Sequence, residues 1–133
     1  MIVYTETYTD YNGNQRTEEF RFHFNQAELM EMELSTEGGF SARVNRIIHA
    51  NSHPELLQVM KTFVLHAYGV KSEDGRRFQK TDEIRQEFLE SPVYSRIFMR
   101  LTTGPNAADE AAKFINGVTP DDMPKPMAAP AAN

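Results

Sequence analysis

Phe20, Phe22 and Phe24 alternate with Glu19, Arg21 and His23, the period-two pattern of a strand with one face covered. Ile2 to Tyr8, rich in Tyr, Thr and Val, favours a partner strand. Asp10-Tyr11-Asn12-Gly13-Asn14 lies between them, and Asn and Gly tolerate the positive φ of a tight turn. A two-residue loop would set Phe22 across from Val3. A three-residue loop, Asn12 to Asn14, sets Phe22 across from Tyr4 and Phe24 across from Ile2. The second register gathers the larger apolar groups on one face and is the one expected. Residues 2–24 are thus predicted to form a β-hairpin.

From Asn25 onward the period becomes helical. Asn25 with Glu28 three residues later reads as a capping box. Leu29, Met30 and Met32 are the apolar positions of a short helix that stops near Gly38-Gly39. Phe40, Val44, Ile47 and Ile48 continue at helical spacing. Pro54 suits the first turn of a longer helix whose stripe is Leu56, Leu57, Met60, Phe63, Val64, Ala67 and Tyr68, with Gly69 as its expected C-cap. Val70 to Lys80 reads as a polar connection around the turn dipeptide Asp74-Gly75. Further helices are expected after Thr81 or Asp82 (Ile84, Phe88, Leu89), after Pro92 (Val93, Tyr94, Ile97, Phe98, Leu101) and from Asn106 to Asn116. On the last, Phe114 is placed near the edge of the apolar side and Gly117 is the stop. The predicted class is α+β, mainly α: an N-terminal β-hairpin, a bundle of about five to six short helices over residues 25–117, and a flexible tail. Residues 1–118 form one domain in this reading. Residues 119–133, with four prolines and little apolar bulk, form a Pro/Ala-rich disordered tail.

Composition narrows the function. A chain of 133 residues, 40% apolar and 25% charged, supports one modest core. No run approaches the about 18 apolar residues of a membrane span, and the first residues lack the basic and apolar regions of a secretory signal. There is no cysteine, so disulfides and thiolate chemistry are excluded. The net charge is −5 and the longest basic run is Arg76-Arg77, which argues against nucleic acid as a partner.

Candidate chemistry is sparse. Asp10 to Asn14 resembles the opening of a calcium loop, but Gln15 and Arg21 stand where Gly and an acid are needed. His49 and His53 have ligand spacing across what reads as a helix boundary at Asn51, Ser52 and Pro54, without the Glu of a zinc-protease motif. Glu18 and Glu19 point to opposite faces of a strand, and Glu31 and Glu33 do not converge on a helix. No nucleophile elbow, phosphate loop or dinucleotide fingerprint is present. No enzyme, metal or cofactor is expected. Leu29, Met30 and Met32 cannot all share one narrow stripe. Either they fill the core, or at least one reaches the surface, where thioethers make adaptable contacts. Leu29, Met30, Met32, Met60 and Phe63, on the first helix and the exposed side of the Leu56–Tyr68 helix, are the candidate partner-binding residues.

Several phrases of the chain, taken together, carry a resemblance. They are Tyr8 to Asn14, Glu19 to Asn25, Ala27 to Glu33, Ala67 to Phe78 and Phe114 to Val118. They resemble the tail assembly chaperones of long-tailed bacteriophages, especially those of Gram-positive hosts, over roughly residues 4–118. The resemblance implies a non-enzymatic factor in the cytoplasm of the infected cell, absent from the mature virion. It implies binding to the tape measure protein, a long helical chain with apolar stretches, until the tail tube polymerises around it. Many such proteins have a longer form made by programmed frameshift, which recruits the major tail tube protein; the tail from Thr119 would suit a tether to such an extension. Coating a long client calls for many copies, so a homo-oligomer is expected. A tail-completion or connector protein retained in the virion and a small regulator of a host target are the competing readings.

Overall fold

A computed structural model describes residues 1–50 and 53–120, without the Ile48 side chain. The expected tail from residue 121 onward, and the helix boundary expected at Asn51 and Ser52, lie outside the described residues. The chain begins with strands β1 (Ile2–Thr9) and β2 (Gln15–Phe22), followed by helices α1 (Gln26–Ser35), α2 (Phe40–Ala50) and α3 (His53–Ala67). Strands β3 (Tyr68–Lys71) and β4 (Phe78–Gln79) come next, then α4 (Asp82–Leu89), α5 (Pro92–Thr102) and α6 (Ala107–Val118). The α+β, mainly α class is as expected. The strands form one antiparallel sheet in the order β1-β2-β3-β4.

The hairpin keeps the expected face but not the expected register. Ile2 lies across from Phe22 and Tyr4 across from Phe20, two residues from the predicted pairing. The shift follows from Asp10. Its carboxylate accepts the N–H groups of Asn12 and Asn14, both at 2.9 Å, and binds Arg16 Nε at 2.6 Å. Its own N–H donates to Asn14 O, and Gly13 takes φ 85°. The three-residue loop is therefore Tyr11 to Gly13, closed by the Asp10–Asn14 pair, in place of Asn12 to Asn14. A shift of two preserves which side chains face inward, whereas a shift of one would have reversed them.

Two glycines expected to end helices have another role. Gly69 belongs to β3, where an added Cβ would lie 2.6 Å from the Phe78 ring. Gly117 is inside α6, where a Cβ would collide with the Ile2 side chain. Both positions need a missing side chain for close approach, not a left-handed backbone. The expected polar connection after Val70 is a second hairpin, β3–β4. Its turn is held by Asp74, which accepts from the Ser72 hydroxyl and the Arg76 N–H.

The core lies between the sheet and the helices. Phe22 is fully buried and packs on Tyr4, Tyr68, Phe88 and Phe114 at centroid distances of 5.4–5.7 Å. Phe114, expected near the edge of its helix, is fully buried. Phe63 joins Phe24 and Phe40 at 5.0 and 5.5 Å. Helix α3 packs against α2, α4, α5, α6 and β3, so it is enclosed on several sides. Thr119 is also buried, with its hydroxyl donating to Ile115 O. The folded body therefore includes the first residue of the expected tail.

Candidate interaction surface

Helix α1 differs from the other helices in having no buried residue. Its start is capped twice over. Glu28 N–H donates to Asn25 Oδ1 at 2.8 Å, and Asn25 N–H donates to Glu28 Oε1 at 2.9 Å. Polar links then hold the helix to the body. Lys80 Nζ donates to Glu28 Oε2 at 2.9 Å and to His23 O at 2.6 Å, and sits 4.5 Å from the centroid of the Phe24 ring. Burial pushes the Lys80 ammonium pKa down, and the bond to Glu28 opposes that shift. At the far end, Glu33 Oε1 accepts from the Ser41 N–H and hydroxyl at the start of α2.

The apolar residues of α1 divide between two faces. Leu29 and Met32 turn inward and pack, partly buried, against the core. Met30 is 54% exposed and Leu34, one turn later, is 79% exposed. Leu34 was not among the expected residues, although its spacing of four from Met30 places both on one helical stripe.

Beside α1 runs a groove of about 540 Å³. Phe24, Met32 and Phe40 supply its apolar surface, and Glu31, Arg43 and Arg85 are among its charged residues. His66 also lines it. Burial lowers the His66 pKa, helped by the nearby charges of Arg85 and Lys80 and opposed by Glu28. Most of its lining is polar or charged, so it offers a mixed channel in which a client segment would meet hydrogen-bonding groups as well as a small apolar patch.

Met60 and Phe63 lie elsewhere. They are 0% and 1% exposed and belong to the core, so the expected exposed apolar face on α3 is corrected. The reason is enclosure: Val59 and Leu65 on the other sides of the helix are buried as well. His49 is hydrogen bonded through Nδ1 to Asn45 O at 2.7 Å. Glu19 is paired with Arg21, and Glu18 accepts from the Tyr8 hydroxyl. Among the described residues, no three His, Asp or Glu side chains gather as a metal site would require.

The family model described as phage tail assembly chaperone matches residues 1–132. The chain belongs to this family. No curated protein and no solved structure matches it. Membership gives the chaperone a phage tail protein as its kind of partner, and the family is not an enzyme family. No helix among the described residues is long and apolar enough to cross a membrane.

Proposed function

We propose that this chaperone binds the tape measure protein of a long-tailed phage and keeps it soluble until tube subunits polymerise around it. The observation that carries this reading is the exposed pair Met30 and Leu34 on a helix without buried residues; the groove lined by Glu31, Met32 and Ser35 lies on a different face of that helix. Exposed thioether and isobutyl groups adapt to many apolar shapes, which suits a client with repeated, non-identical greasy faces. Leu29 and Met32 support the surface from beneath. One small domain covers little of a long client, so the reading includes self-association and many copies per tape measure chain. It further includes a Gram-positive host, action in the host cytoplasm, absence from the virion, and a frameshifted form that recruits the tube protein. These rest on the resemblance of whole phrases between residues 4 and 118.

The test is co-expression with the product of the gene immediately downstream, the expected tape measure. Wild-type chain is expected to hold that product in the soluble fraction and to co-purify with it. The double variant Met30→Glu, Leu34→Glu should lose both properties while its circular dichroism stays unchanged. Equal co-purification by the variant rejects the surface. Absence of capture by the wild type rejects the function.

A further inference from the structure

The sheet has two margins of unlike character. The β4 margin is two residues long, with Arg76, Arg77 and Lys80 close in sequence. Short, charged edges resist the addition of another strand. The β1 margin is eight residues long and contains no Pro, Gly, Lys or Arg. Among the described residues β1 pairs with β2 alone.

Hydrogen-bond parity shows which groups face the open side. Asp10 N–H donates to Asn14 O, which marks a bonded pair at the loop. Alternation then makes Tyr8–Arg16, Glu6–Glu18 and Tyr4–Phe20 the bonded pairs. On the other side of β2, His23 N–H donates to Ala67 O, so the main-chain groups of Arg21, two residues earlier, also point toward β3. Arg21 therefore does not bond its β1 partner Val3, in agreement with the first argument. The Thr7 and Thr17 hydroxyls, 2.9 Å apart, fit the closer approach of a non-bonded pair. The N–H and C=O groups of Val3, Thr5 and Thr7 thus face away from β2.

Charge selects the occupant. The only charged residue of β1 is Glu6, 5% exposed, whose carboxylate lies 2.9 Å from Arg100 and 3.7 Å from Arg96 of α5. With that charge turned inward and compensated, two β1 margins can meet without like charges opposed. A β1 margin meeting the two-residue β4 margin would gain little pairing.

We infer that β1 pairs antiparallel with β1 of a second copy across a two-fold axis, joining the two sheets into one of twice the width. The pairing deepens the self-association in the proposed function and rests on that reading for its purpose. It leaves α1 and its groove open in both copies, giving one particle two client-binding faces.

Sedimentation equilibrium of the full chain tests it. Wild type is expected at twice the 15.2 kDa chain mass, or a multiple of that. Thr7→Pro removes one outward N–H while sparing every main-chain β1–β2 bond, losing only the Thr7–Thr17 hydroxyl contact, and should halve the mass with unchanged circular dichroism. Thr5→Lys combined with Thr7→Lys should do the same by charge, should the proline distort β1. A monomeric wild type, or wild-type mass in the lysine variant, overturns the pairing. Hydrogen exchange adds an independent reading: the amides at positions 3, 5 and 7 should be protected in wild type, with protection lost at 3 and 5 in Thr7→Pro and at all three in the lysine variant. Protection that persists in a monomer would mean the chain covers its own edge, which also overturns the proposal. A dimeric wild type that captures no tape measure protein would sink the chaperone function and leave the pairing standing.

Discussion

His66 on the groove wall illustrates how a single side chain links the candidate surface to solution conditions. Burial, and then Arg85 and Lys80, hold its pKa below the ordinary 6.5, with only Glu28 acting in the other direction. The unfolded chain therefore binds the proton more readily than the folded one. The stability tied to neutral His66 is complete above pH 6.5 and is lost as pH falls through the lowered folded value. Between about pH 7.5 and about pH 5, the urea midpoint of wild type should fall further than that of His66→Gln. Equal falls would show that other groups govern the acid limb.

At the scale of elements, α1 is a helix held by its ends. The Asn25–Glu28 capping box, the Lys80–Glu28 pair and the Glu33–Ser41 contacts do what a buried stripe does for α3. Its opening is expected to be local, because lifting it removes only the half-buried Leu29 and Met32 from the core surface. Asn25→Ala should cost the helix about 1 kcal/mol. That corresponds to roughly fivefold faster amide exchange along residues 26–35, with α3 and α5 unchanged. Uniform acceleration throughout the protein would show that α1 unfolds only with the whole. Local opening would let the surface around Met30 and Leu34 reshape to different client segments.

At the scale of the whole molecule, the first strand and the last helix close on each other. Ile2 occupies the space that a Cβ at Gly117 would need, and Phe24 N–H donates to Val118 O at 2.9 Å. The chain thus completes its core only when its two described ends meet, a long-range contact that is slow to form. Gly117→Ala should destabilise the protein by about 1–3 kcal/mol through overpacking. In an Ile2→Ala background, which lacks both the Cδ1 and the Cγ1 atoms in the way, the cost should shrink, as expected for two residues in contact. Denaturant melts of the four variants measure the coupling, and strict additivity would refute the contact.

The local elements were legible in the sequence because their signals are local. The Asn25–Glu28 box, Pro92 in the first turn of α5 and the apolar periods of α2 to α6 need only neighbours within a turn or two. The same holds for the inward face of the hairpin, since parity survives a shift of two residues. Other features were decided by residues distant in sequence. Gly69 and Gly117 look like helix stops until Phe78 and Ile2 are seen against them. Strands of four and two residues are too short to show a period, so β3 emerges only beside β2 and β4 only beside β3. Met60 and Phe63 read as one face of an amphipathic helix, but packing on several sides left α3 no outer apolar face. Met30 and Leu34 share a stripe by spacing alone, yet their exposure depends on where α2 and the sheet leave room. Periodicity states which residues can lie together; only the packed whole determines which of them meet water.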